Sequence, residues 1–525
     1  MPLPKSAADP LVLARSLEAF LAAHPQAAVL DQGRVIFDLT AARYALSTEH
    51  GRCVLHLWSE ERNLVRTVVG VEQRKDRLRL LVRRMGAERP QSLDFVAGRD
   101  FRAPGARGLS RSLYVRLLER VLCRVFSDYK VENLRSAMDL ENSFGPAYTR
   151  GILHNGQRTW AVIGTGAAET PATIDGILTL GILWLAHCRQ HTGGKSLCQG
   201  LKVIVPRGSA SVTQARMACL HPKLGGWELY ELCETTEELA RVDTSTEGNL
   251  KMRLVEAFDP QAAMARASAG LDRIMRLLPE GMKRVVEVRA FRPGEVALAL
   301  HGLEFARVKQ VYREHSFTRE DAITFGAGAN ETALDDSSEA QFQELAQQLF
   351  FRRSAAGSMR DPLFRLQAEG WLESVVRQDP ARIEPSFESS PVYSQVPAFA
   401  AADRGVLDLL TATKDGRLAV LELKADEDLH LPLQALDYWL RVRRLNEQRD
   451  AGVEGARREL ERIGYFPGME LSGAVPLLYF VIPALRVHPS MEMVLAHFSP
   501  EIPWTLVAVG EEWRNSWQVV FRKRA

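Results

Sequence analysis

The stretch from Leu201 to Glu234 recurs, without a gap, from Leu478 to Glu511. "LKVIVP" at 201–206 parallels "LYFVIP" at 478–483, and the step from Pro206 to Trp227 equals that from Pro483 to Trp504. Beyond it "WELYELCE" matches "WTLVAVGE", with Trp, Leu and Glu in one register. Upstream, "TRGIL" at 149–153 answers "DRGVL" at 403–407, "WAVIGTG" at 160–166 answers "LAVLELK" at 418–424, and "LWLAHC" at 183–188 answers "DYWLRV" at 437–442. Short apolar runs bounded by turn residues read as buried strands alternating with helices. The pattern therefore favours two copies of one α/β unit, related by duplication, over a chance likeness.

The last copy reads element by element. "DPLFRLQAEGWLESVVRQ" predicts a helix with Asp361 as N-cap and Pro362 at its first position. "VYSQVPAF", "GVLDLLTA" and "RLAVLELK" predict three short strands, and "LPLQALDYWLRVRRLNEQ" a second helix opened by Pro432. "PLLYFVIPA" is a strand buried on both faces. The order is helix, three strands, helix, strand.

Within "LAVLELK", Glu422 and Lys424 share one strand face, where packing alone would select apolar residues. "TKDGR" before it predicts a three-residue hairpin loop, Lys414, Asp415 and Gly416, with Gly416 left-handed. A hairpin symmetric about Asp415 sets Thr413 against Arg417 and Asp408 against Glu422. Opposed Cβ atoms lie roughly 4.5–5.5 Å apart, so the two carboxylates repel unless a proton or a cation joins them. Two carboxylates with water suit magnesium, and an ammonium beside them stabilises charge on an attacked phosphate. Gln434 and Tyr438 fall four apart on one face of the next helix, followed by Arg441, Arg443 and Arg444.

These pieces resemble the PD-(D/E)xK nuclease superfamily, in its RecB-like and lambda-exonuclease-like branch, over roughly residues 360 to 485. The motifs that carry the resemblance are Asp408 after a short strand, Glu422-Leu423-Lys424 on the next, and Gln434-Ala435-Leu436-Asp437-Tyr438 on the helix. The residue before the acid is Leu407 rather than proline. The resemblance implies Asp408 and Glu422 as ligands of Mg2+ or Mn2+, with the Leu423 carbonyl as a third. It implies Lys424 as the catalytic lysine, Gln434 and Tyr438 as the auxiliary motif, and an acid on the first helix. Glu373 is preferred over Glu369 for that acid because it lies nearer the helix end leading into the sheet. Arg441 is the candidate for a further substrate contact, but for Arg441 to Arg444 a solvated helix face is favoured over DNA contact.

The expected fold class is α/β, with a restriction-endonuclease-like αβββαβ core at the C-terminus, a degenerate repeat of it in the middle and a β-rich N-terminal region. The expected domains are 1–100 (β-rich), 101–240 (inactive nuclease-like), 241–345 (small α/β segment and linker) and 346–525 (nuclease-like). In the middle copy the letter alignment sets His154 at Asp408, Gly164 at Glu422 and Gly166 at Lys424. The expected function is metal-dependent hydrolysis of DNA phosphodiesters. The alternative is a catalytically silent nucleic-acid-binding or scaffold protein with a vestigial nuclease fold. RNA as substrate stays open, as does a separate helicase or other DNA-processing partner.

A formal net charge of +2 neither argues for nor against a nucleic-acid partner. The six cysteines form no Cys-x-x-Cys pair and no zinc spacing, which reads as a reduced, cytoplasmic protein. "GILTLGILWLAHC" at 176–188 is too short to span a bilayer and reads as a buried helix; no membrane role is expected. Arg15 and Glu18 make the opening segment an amphipathic helix rather than a signal peptide. "HTGGKS" at 191–196 lacks the first glycine of a phosphate loop, and the polar run at 326–341 is the expected linker.

Overall fold

A computed structural model describes residues 9–525 apart from 26, 32–33, 40–41, 49–50, 59–62, 75–76, 84–89, 98–103, 140–143, 157, 192–196, 249–252, 255–256, 313–318, 329–331, 355–356, 401–402 and 449–457. Most of "HTGGKS" and part of the expected linker thus lie outside the described residues. The protein is mixed α/β, with four sheets among the described residues. It divides into two compact units: Met1–Leu109 with Pro260–Leu300 and Glu304–Phe351, and Ser110–Asp259 with His301–Leu303 and Arg352–Ala525. The 241–345 segment is therefore shared between the two.

The first unit holds the β-rich N-terminal region as a seven-stranded antiparallel sheet. The helix Pro10–Ala23, capped by the Asp9 carboxylate, lays Leu13, Leu17, Phe20 and Leu21 on that sheet beside Leu55, Leu57, Leu78 and Phe95. A second, five-stranded sheet runs from Val286 to Ala333. The described part of the polar run at 326–341 is not a free linker. Asp335 accepts bonds from the Ser337 and Ser338 amides, and the helix Glu339–Arg352 begins there.

The second unit, with a helix that begins at Pro104 reaching into it, contains one arrangement twice. Its first half has α1 (Pro104–Val125), β1 (Lys130–Arg135), β2 (Thr149–Asn155), β3 (Arg158–Gly164), α2 (Ile177–His191), β4 (Leu197–Pro206), α3 (Ser211–Met217), β5 (Gly226–Cys233) and β6 (Glu238–Val242). Its second half has α4 (Ala368–Gln378), β7 (Tyr393–Ala400), β8 (Asp403–Ala412), β9 (Leu418–Leu423), α5 (Leu431–Glu447), β10 (Leu477–Pro483), α6 (Met491–Leu495), β11 (Trp504–Val509) and β12 (Val519–Arg524). Both sheets run in chain order, the second with one extra strand, Arg253–Leu254, beside β7. In each half the six strands pair antiparallel, antiparallel, parallel, parallel, antiparallel. The register repeats too: Leu201 lies opposite Trp227, as Leu478 lies opposite Trp504, a constant offset of 277 residues.

The two halves join through a pseudo-two-fold interface. Leu220 bridges Phe498, the His221 amide donates to the His497 carbonyl at 2.8 Å, and the Ser499 amide donates to the Cys219 carbonyl at 2.8 Å. The 277-residue offset carries Leu220 onto His497 and His221 onto Phe498, so the bridged pair maps onto its neighbour, His221 and His497, and the antiparallel register is preserved with the halves exchanged. The helix contacts follow suit: α2 packs on α6, and α5 on α3. This is the isologous geometry of a homodimer, built within one chain. A shared apolar core runs through it, with Ile182, Leu185, Leu436, Trp439 and Val494 all buried.

Candidate active site

The expected helix at 361–378 is broken. Asp361 caps the short helix Pro362–Arg365 as predicted, but Gln367 is left-handed at φ 48° and restarts the chain as α4. The restart aims Trp371, Leu372 and Val376 onto Leu409, Leu421 and Leu423 of the sheet. Glu369 and Glu373, four apart, share one face of α4. Glu373 is buried, whereas Glu369 is half-exposed.

The hairpin joining β8 and β9 is symmetric about Asp415. Thr413 N donates to the Arg417 carbonyl at 2.8 Å, Gly416 is left-handed at φ 78°, and the ladder runs from Ala412–Leu418 to Leu409–Leu421. One step on, at Asp408 and Glu422, side chain replaces backbone: Asp408 Oδ2 accepts the Leu423 amide at 2.9 Å. Glu422 belongs to the sheet face beneath α5, with Leu418 and Val420. Its Oε2 is buried and has no hydrogen-bond partner.

Burial, helped by Glu373 and Glu369 and opposed by the Leu423 amide and Lys424, pushes the Asp408 carboxyl up to about 7. Burial and the neighbouring Asp408 carry Glu422 well above the usual carboxylate range. The two act as one coupled acid pair holding a proton near neutrality. Burial works against charge on Lys424, but Glu369 and Glu422 outweigh it and hold the ammonium protonated. Its Nζ lies 3.2 Å from Glu369 Oε1.

On α5, burial and the charges of Glu422 and Asp408 keep the Tyr438 phenol protonated, well above its ordinary value. Gln434 stands one turn earlier and is half-buried. Arg441 is not on a solvated face: it is buried, with its guanidinium 5.7 Å from the centre of the Tyr438 ring. Arg443 and Arg444 both engage Glu247 of the first half rather than forming a free basic edge.

Among the described residues no group of three or more His, Cys, Asp or Glu side chains is placed to hold a metal ion. Two carboxylates do fit a hard divalent cation that keeps several waters, and Glu422 Oε2 is a buried oxygen left with an open coordination position.

The same position in the first half corrects the letter alignment, by one residue on β3 and by four on β2. Glu422 lies opposite Phe480, and the 277-residue offset takes Phe480 back to Val203, whose partner is Ile163. Lys424 N donates to the Val481 carbonyl, as Thr165 N donates to the Ile204 carbonyl. Opposite Ile163 stands Arg150. Acid, acid and lysine thus correspond to Arg150, Ile163 and Thr165, not to His154, Gly164 and Gly166. Gly164 faces the other way, where an added Cβ would lie 2.7 Å from Tyr114 Oη on α1. The Arg150 guanidinium is fully buried, donates to the Ala137 carbonyl at 2.9 Å and sits 4.6 Å from the centre of the Phe144 ring.

Sequence reasoning missed the partner of Asp437. Arg216 of α3 grips both its carboxylate oxygens, at 2.9 and 2.7 Å, from 221 residues away. Neither a protein-family model nor a curated protein sequence matches this chain.

Proposed function

We propose that the second half of this unit is a metal-dependent phosphodiesterase that hydrolyses DNA, built as a RecB-like nuclease core, and that the first half is a silent copy of it. One observation carries the reading: the half-buried Asp408 and the buried Glu422 form an acid pair with an unpartnered Glu422 oxygen, two residues along the same strand from a protonated Lys424. A mutually repelling acid pair with one member buried is unfavourable for folding alone, and such pairs cluster at functional sites.

Asp408 and Glu422 would hold Mg2+ or Mn2+, which when bound neutralises the pair and supplies Lewis acidity toward a phosphate. Lys424 presents its ammonium to the phosphate and stabilises the charge that builds there during attack by water. Tyr438, held as a phenol, donates to a phosphate oxygen, with Gln434 beside it on the same helix face. Arg441, packed behind the Tyr438 ring, fixes its orientation. Glu373 stands in the buried shell behind Asp408 and sustains its raised proton affinity.

A second reading rests on Glu369. Its ion pair with Lys424, and the two-carboxylate donor set, suit a nucleic-acid-binding module that holds an ion without cleaving. Magnesium-dependent cleavage by the full chain that disappears in Glu422→Ala supports the nuclease. Folded wild type that binds DNA but leaves it intact supports the module.

A further inference from the structure

The interface between the halves is pseudo-symmetric in its backbone and not in its charges. Arg216 on α3 is buried, and its guanidinium forks onto Asp437 on α5 while a third nitrogen donates to the Asp175 carbonyl. The 277-residue offset places Met493 of α6 at the equivalent of Arg216, and Met493 packs in the apolar core. The ion pair therefore exists on one side of the pseudo-dyad only, and it grips the helix that carries Gln434 and Tyr438.

A second clamp holds the same helix. Glu247, from the first half, takes Arg443 and Arg444 together, with Arg444 Nε at 2.8 Å. The bidentate fork fixes orientation as well as distance, which a lysine or an apolar contact does not do. Asp437 precedes Tyr438 directly, so any rotation of α5 that loosens the fork swings the Tyr438 ring relative to Glu422 and Asp408.

We infer that the silent half is a brace for the competent one, and that Arg216 is a positioning residue that sets the angle of α5 over the Asp408–Glu422 pair through Asp437. The inference rests on the nuclease reading above. It assigns the silent copy a task that explains why its fold is complete although its acids are gone.

The test uses the full chain with Mg2+ on an oligonucleotide duplex, comparing wild type with Arg216→Met, Arg216→Lys, Asp437→Asn and the exchange Arg216→Asp/Asp437→Arg. Circular dichroism and a thermal melt establish folding, and calorimetric titration of Mn2+ reports the acid pair independently of turnover. Arg216→Met and Asp437→Asn are expected to lower kcat about 10- to 100-fold with KM within about two-fold and Mn2+ affinity unchanged, because misplacement by about 1 Å has that cost. Arg216→Lys is expected to fall between, and the exchange to recover part of the loss, since two groups in one contact are not additive. If Arg216→Met does not fold, Asp437→Asn, which keeps the side-chain shape, decides. A folded variant with unchanged kcat, or with the loss confined to KM, overturns the inference while leaving the nuclease standing. An inert wild type overturns both.

Discussion

Glu422 and Ile163 occupy the same ladder position in two sheets of one topology: Glu422 opposite Phe480, Ile163 opposite Val203. One half has placed an ionisable group where the other has an aliphatic one, beneath the corresponding helix (α5 for Glu422, α2 for Ile163) and on the corresponding sheet face. The apolar choice satisfies packing. The acid does not.

Removing that acid relieves the fold. Glu422→Gln is expected to stabilise the metal-free protein by about 1–2 kcal/mol at pH 8, because it deletes a buried charge beside Asp408. The same substitution is expected to lower cleavage at least about 100-fold. Chemical denaturation and a turnover assay on one preparation check both; a variant less stable than wild type contradicts the buried-repulsion argument.

The metal-free protein loses stability as pH rises through the weakly acid range. Asp408 titrates near 7 in the folded chain against an ordinary 3.8, so between those values only the folded state keeps the proton. Below about 4 Asp408 is protonated in both states and its contribution is level; above about 7 its own share of the loss is complete, with a slope of at most about 1.4 kcal/mol per pH unit per proton. Magnesium displaces the proton, so its stabilising effect is expected to be larger at pH 8 than at pH 5.5. Melting curves at the two pH values with and without Mg2+ measure this, and an equal shift at both contradicts it.

Arg150 separates fold from chemistry. Arg150→Met removes its carbonyl bond and its contact with Phe144, and is expected to destabilise by about 2–4 kcal/mol. At a temperature where the variant stays folded, kcat is expected to match wild type within about two-fold, since methionine there leaves α5 alone. A large kcat loss in folded Arg150→Met contradicts a silent first half.

The two acids of α4 are distinguishable. Glu373 is buried behind Asp408, whereas Glu369 reaches Lys424 from a half-exposed position. Glu373→Gln is expected to reduce cleavage about 10-fold or more, and Glu369→Gln no more than about three-fold, because the exposed pair is screened by solvent. The reverse ranking would move the helix acid to Glu369.

Much of the second half was legible because its signals are local. Asp361 before Pro362, the "KDG" loop and the strand alternation around Glu422 each fix a few neighbouring residues, and the structure places them accordingly. The break at Gln367 was not legible: a left-handed glutamine is held by the packing of Trp371 and Leu372, not by its own preference. The first half misled, by one residue on β3 and four on β2, because matching "GTG" to "ELK" and "TRGIL" to "DRGVL" follows letters, while register follows the partner strand. A one-residue slip moves every side chain to the other face, which is why Gly164 belongs to the α1 contact. Arg216 and Asp437 carry no mutual signal at a separation of 221 residues.

The most direct test is a cleavage assay on linear and circular DNA, single- and double-stranded, with Mg2+ or Mn2+, running wild type beside Lys424→Ala. Wild type is expected to cleave in a metal-dependent way, and a folded Lys424→Ala is expected to lose that cleavage. Well-folded wild type that cuts none of these substrates under either metal contradicts the nuclease reading.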